Sequence, residues 1–213
     1  MVPRTSRLAR LLRCTAVVSL LPVGAAAQQG TPDSTTYVLS AASRFELKTG
    51  KAGLLGFAGH SHVIRARAFS GRIIYYPGAP AQSRVEIVVP TESLEVLTPP
   101  DTAEIRKVTE AMRTEVLHVD QYSEIRFTST AVTPTGDGLR VQGELTLAGQ
   151  TRDVTVDVAV EIGADTLRAR GTFALKQTDF GIKPYRGGPA GTVRVADRVT
   201  LDFEAIGVAQ AGP

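Results

Sequence analysis

Residues 139–162 read LRVQGELTLAGQTRDVTVDVAVEI, and this stretch decides the fold. Leu139, Val141, Gly143, Leu145 and Leu147 alternate with Arg140, Gln142, Glu144 and Thr146. Beyond Ala148-Gly149-Gln150, Val154, Val156, Val158, Val160 and Ile162 alternate with Thr155, Asp157, Ala159 and Glu161. Successive side chains of a strand point to opposite faces, so a period of two means two strands joined by a tight turn, each with one apolar and one polar face. Strands of a parallel sheet, covered on both sides, would be apolar throughout; these belong to an antiparallel sheet.

The same alternation recurs on both sides of this stretch. Downstream it runs through Leu167, Ala169, Gly171, Phe173 and Leu175, and again through Val199, Leu201, Phe203 and Ala205. Upstream it is shorter: Phe45 and Leu47, Val85, Ile87 and Val89, Ile125 and Phe127. One segment breaks the rhythm, because Ile105, Val108, Met112 and Val116 recur at helical spacing. Asp101 with Glu104 forms a capping box after Pro99-Pro100, which predicts a helix from about Asp101 to Leu117. The expectation is an all-β chain, a closed barrel or sandwich with one α-helical connection. As a barrel of about eight antiparallel strands it is small, with an interior either filled by side chains or holding one small ligand.

Composition agrees with a globular domain: of 213 residues, 43% are hydrophobic and 21% charged, with a single Cys and no Trp. The formal charge of +3 would suggest a polyanionic partner, but Arg4, Arg7, Arg10 and Arg13 precede an apolar run, Cys14 to Leu21, and then Ala25, Ala26 and Ala27. That layout predicts a secretory signal over residues 1–27, cleaved after Ala27, and hence a periplasmic or secreted protein. Removing the four leader arginines from the 24 basic residues leaves 20 against 21 acidic ones, a formal charge of −1, and removes Cys14, the one thiol. No nucleic-acid partner is then expected. Nor is stable membrane insertion, since no apolar run reaches the roughly 18 residues of a spanning helix. Residues 28–35 read as a flexible leader, 36–208 as one domain and 209–213 as a tail.

The chemistry-bearing candidates are few. On a strand, His60 and His62 face the same way, near the barrel mouth. His-x-His can seat zinc if a third ligand such as His118 or Asp120 converges; the alternatives are contacts to a ligand headgroup or histidines that satisfy nearby backbone. Gly59-His60-Ser61-His62-Val63 lacks the last glycine and the α/β context of a nucleophile elbow. Asp179-Phe180-Gly181 lacks the companions of a kinase metal triplet. No catalytic constellation remains, so neither enzyme activity nor a cofactor is expected. Phe69, Phe127, Phe173, Phe180 and Phe203 either fill the core or shape the wall of a lumen.

In order and spacing, six stretches resemble the YceI-like family of secreted lipid-binding proteins over residues 36–208. They are Ser43 to Leu47, Gly59 to Ile73, Glu115 to Phe127, Val141 to Arg152, Gly171 to Ile182 and Val195 to Leu201. Ser123 stands where the family has proline, and residues 39–43 lack its first-strand Asp and His-Ser pair. The resemblance implies a lipocalin-like antiparallel barrel that holds a polyisoprenoid or similar long-chain lipid in its pore. The expected wall is Phe127, Leu145, Val156, Phe173 and Leu201, with Phe69 and Phe180 beside it and His60 and His62 at the rim. With no basic cluster expected to face inward, the head of the lipid would stay in solvent or meet these histidines, and Gly143 and Gly171 would face the guest. The competing expectations are a metal-dependent protein built on His60 and His62 and a solidly packed interaction protein.

Overall fold

The computed structural model describes residues 33–51, 61–97, 102–187 and 193–210. The expected signal segment and His60 lie outside them. Every described element belongs to one compact unit, Pro32–Pro213.

The polypeptide runs up and down around a closed barrel of eight antiparallel staves. Five staves are single strands: β7 (Glu124–Thr135), β8 (Gly138–Leu147), β9 (Gln150–Ile162), β10 (Thr166–Lys176) and β12 (Val193–Ala209). The first three are each broken in two: β1 (Thr35–Leu39) with β2 (Arg44–Lys51), β3 (Val63–Ala66) with β4 (Ser70–Tyr75), and β5 (Arg84–Pro90) with β6 (Leu94–Val96). Their registers show the halves to be continuous. β1 lies between β4 and β12, and directly beyond it β2 lies between β3 and β12. The pairs Tyr37↔Ala209 and Leu39↔Gly207 close the ring. A two-residue strand, β11 (Arg186–Gly187), pairs with the start of β12 as a small hairpin at one end of the barrel.

Side-chain hydroxyls satisfy the backbone groups that the breaks release, as buried polar groups require. Ser43 Oγ accepts from Ile206 N at 2.9 Å, and Ser93 Oγ donates to Ala68 O at 3.0 Å and Pro90 O at 2.7 Å. These breaks are why the upstream alternation is short. The turn between β8 and β9 falls where the sequence places it: Ala148 and Gly149 have φ of 48° and 71°, both left-handed, as a two-residue hairpin with the right twist needs.

The helical connection is α1 (Thr102–Ala111), extended by one π-helical turn, Met112–Val116, against the expected 101–117. In that turn Leu117 N donates to Met112 O at 2.9 Å, and His118 then ends the helix at φ 48°. The exit is pinned to the barrel by Thr91, whose Oγ1 donates to Tyr122 O at 2.7 Å, and by Arg113 Nη2, which donates to Glu92 O at 2.7 Å.

Candidate functional site: an apolar cavity beneath the helical connection

Inward-facing residues fill one end of the barrel and leave the other hollow. The filled end is closed by Tyr37, Val132 and Leu167, of which Leu167 is 2% exposed. Above it lies a cavity of about 760 Å³, walled by the inward phase of the staves: Phe45, Leu47, Ile64, Ile73, Val85, Ile87, Ile125, Val141, Leu147, Val158, Leu175, Val199 and Phe203, together with the residues anticipated for this role. Of those, Phe127, Leu145, Val156, Phe173 and Leu201 line the cavity, as does His62.

Phe69 and Phe180 do not. Phe69 packs edge-on against Phe45 with ring centroids 5.0 Å apart, one shell behind the wall. Phe180, 2% exposed, sits in a satellite core with Leu145, Leu147, Leu175, Ile182 and Val199, because the short 3-10 turn Gln177–Phe180 swings it off the strand phase. Gly143 and Gly171 do not line the cavity either. A Cβ on Gly143 would stand 2.6 Å from the Phe127 ring, and one on Gly171 would stand 2.7 Å from the Phe203 ring, so both glycines lie under aromatic faces. It is the rings that meet the lumen.

α1 spans the mouth. Glu104, Lys107, Val108, Ala111, Met112 and Val116 line the cavity, the stripe expected of one helical face turned toward it. The π turn extends this face to Leu117. Polar lining residues gather at this end: Glu104 and Lys107 on α1, Thr49 and His62 at the ends of their staves, Gln177 and Tyr185 after β10, and Arg194 at the start of β12. Thr49 Oγ1 accepts from His62 N at 2.9 Å, and Gln177 Nε2 donates to Ala196 O at 2.9 Å. Against the expectation that no cluster of basic residues faces inward, two basic residues, Lys107 and Arg194, line the cavity at its mouth, and both are exposed. Lys107 lies outside the apolar helical stripe from which the face was read. Arg194 precedes a register shift between Val195 and Val199, across which a period of two cannot be extended. Among the described residues no three His, Cys, Asp or Glu side chains gather as metal ligands would.

The outward face is charged and largely cross-paired. Burial pushes the Glu46 carboxyl up, but hydrogen bonds from Arg65 and Arg44 outweigh it and hold the group below its ordinary value. Asp202 is lowered, chiefly by the hydrogen bond from Arg44 at 2.8 Å. Asp197 is lowered by the Thr178 N–H and hydroxyl, at 2.9 Å and 2.8 Å, and this anchors the 3-10 turn below the mouth.

Among the described residues, fold and cavity together define an up-and-down β-barrel with an internal chamber, largely apolar in its walls and polar at its mouth. Residues 39–206 match the YceI-like domain, and the chain belongs to that family. It is 29% identical over 177 residues to a UPF0312 protein of Vibrio cholerae, covering 78% of this chain and 88% of that one. Its fold is similar to that of BcnA from Burkholderia cenocepacia, with a TM-score of 0.64 at 21% identity over 79% of this chain and 98% of that one. It is also similar to a polyisoprenoid binding domain from Saccharophagus degradans, with a TM-score of 0.55 at 16% identity over 82% of this chain and 98% of that one.

Proposed function

We propose that this protein is a periplasmic or secreted carrier, not an enzyme, that holds a long-chain amphiphile, a polyisoprenoid or similar lipid, with its chain in the cavity and its head at the mouth. The observation that carries the reading is the cavity itself, about 760 Å³ with largely apolar walls and most of its polar lining residues at one end. At roughly 30 Å³ per non-hydrogen atom, the share a water molecule takes up in the liquid, it has room for about 25 atoms. Burial of each CH₂ contributes about 0.8 kcal/mol and association costs roughly 4 to 15 kcal/mol, so about ten or more buried carbons are needed for useful affinity. The chamber is large enough for that.

Phe127, Leu145, Val156, Phe173 and Leu201 form the wall against the chain, and His62, with His60 two residues before it, stands at the head. The polyisoprenoid binding domain that shares this fold supports the choice of guest. Outside, cross-strand ion pairs such as Arg140 with Asp157 and Arg170 with Glu161 reverse the apolar outer band of a barrel that crosses a bilayer. The four leader arginines and the small-residue site at Ala27 support export; the amino terminus of the exported protein should be Gln28.

Native mass spectrometry of protein purified from a periplasmic extract tests the carrier reading. The expected spectrum shows one long-chain lipid bound per barrel, released by organic extraction. Empty protein that also takes up no isoprenoid or long-chain lipid when exposed to it would refute the reading.

A further inference from the structure

The neighbouring staves β9 and β10 are paired along only part of their length. Their ladder runs from Leu167↔Ile162 to Gly171↔Val158 and stops there. Beyond it, residues 172–176 remain paired to β12 and residues 150–157 to β8, but the two facing edges are not paired with each other. The staves therefore part at the hollow end of the barrel, where Leu145, Leu147, Val156, Phe173 and Leu175 line the cavity.

Residues 177–182, directly after β10, fill the parting. They include Asp179-Phe180-Gly181, and they seat Phe180, 2% exposed, and Ile182 in the cluster with Leu145, Leu147 and Leu175. Ile182 lines the cavity, whereas Phe180 does not. The attachments of this segment are one-sided. Gln177 Nε2 donates to Ala196 O at 2.9 Å, and the Asp197 carboxylate accepts from Thr178 N and Oγ1; both partners belong to β12, within its register shift. Internal bonds run from Gly181 N to Thr178 O and from Ile182 N to Gln177 O, each at 3.1 Å, and Gly181 closes the turn at φ 72°. Among the described residues no hydrogen bond joins the segment to β9, whose Val154 packs against the apolar cluster instead. Separating laddered strands breaks a row of backbone hydrogen bonds; lifting this segment from β9 breaks only side-chain packing.

We propose that residues 177–182 form a side gate, hinged on β12, that swings off β9 and lets the apolar chain of the guest pass into the cavity between β9 and β10. The inference rests on the carrier reading above. A chain entering end-on must pass Glu104, Lys107, Tyr185 and Arg194 at the mouth, whereas Val154, Val156, Phe173 and Leu175 flank the side opening. Local opening of so small a unit costs less than unfolding the barrel.

The test is the rate at which protein purified from the periplasm takes up a conjugated polyene fatty acid, whose fluorescence rises out of water. Gln150→Cys/Gly181→Cys ties the gate to β9, since a Cβ on Gly181 would stand 3.9 Å from Gln150 Cγ, within reach of a disulfide. Oxidised, this variant should take up the polyene roughly tenfold or more slowly than the same protein reduced, with the final amplitude unchanged, because a lid that cannot open limits the rate. Phe180→Ala needs no disulfide and removes the plug without altering a cavity-lining residue. Its uptake and release should both be about tenfold faster, as loss of a buried ring weakens the closed position. Leu167→Ala, a comparable loss at the packed end, should leave both rates unchanged. Equal rates in oxidised and reduced protein, or the same acceleration from Phe180→Ala and Leu167→Ala, would overturn the gate and leave the carrier standing. Protein that takes up no polyene in any form ends the carrier reading and the gate with it.

Discussion

The two ends of this barrel are built from the same eight staves and the same alternation, yet one is packed and the other hollow. At the packed end a large side chain meets a vacancy left by a glycine: a Cβ on Gly207 would stand 2.7 Å from the Cβ of Tyr37, and Val132 and Leu167 complete the seal. At the hollow end the inward residues are no less apolar, but α1 lies across the opening instead of a plug of side chains. The difference teaches that a period of two determines which residues face inward, while complementary volume across the barrel determines whether the interior fills.

The comparison can be broken most directly at the packed end. Leu167→Ala should destabilise by about 2 to 5 kcal/mol, the range for a large-to-small change in a core that cannot collapse, with a thermal midpoint lower by roughly 2 to 4 °C per kcal/mol. Lipid loading should be unchanged. The same change at Leu201, which already borders the cavity, should cost less; equal losses at both positions would erase the distinction between the ends.

A smaller effect is expected between the two. Gly171→Leu forces the Phe203 ring from its place over the glycine and should cost about 1 to 3 kcal/mol, as overpacking does. The displaced ring has the cavity to move into, so loading should fall in native mass spectra. A variant that loads normally would show that the ring moves elsewhere.

Smaller still is an electrostatic effect on the outer wall. Glu46 is held below its ordinary value of 4.5 in the folded protein, so its stabilisation is present above that pH and is lost as pH falls through the lower folded value. Thermal midpoints measured down an acid series should therefore fall less steeply below about pH 4.5 in Glu46→Gln than in the unaltered protein, while the variant is less stable near neutrality. The weakest expected effect is Arg140→Ala: the Arg140–Asp157 pair is exposed and screened by solvent, and its loss should leave the urea-unfolding midpoint essentially unchanged.

Much of this was legible in residue order. β8, β9, β10 and β12 emerge from alternation because they are long and unbroken over their matching stretches, and the helix emerges from its spacing. The upstream staves were legible only in fragments, since each breaks at a hydroxyl-stitched corner where a one-residue slip exchanges inside and outside. Of the anticipated wall, the residues on regular strand phase lie on the cavity. Phe180 fails because a 3-10 turn leaves that phase, and Phe69 because it follows a break. Lys107 and Arg194 went unnoticed because a polar residue on a helix edge or before a register shift carries no periodic signal.

By itself, then, the sequence determined the one-sided strands, the antiparallel order, the place of the helix and the family, since all of these depend on neighbours a few residues apart or on the order of motifs. Only the tertiary structure decided that Tyr37 covers Gly207, that Phe127 and Phe203 cover Gly143 and Gly171, that a cavity remains above them, and that Lys107 of α1 and Arg194 of β12 line it together. These are contacts between segments far apart in the chain, and what they leave empty is set by the sum of side-chain volumes around a closed ring, a quantity no local pattern records.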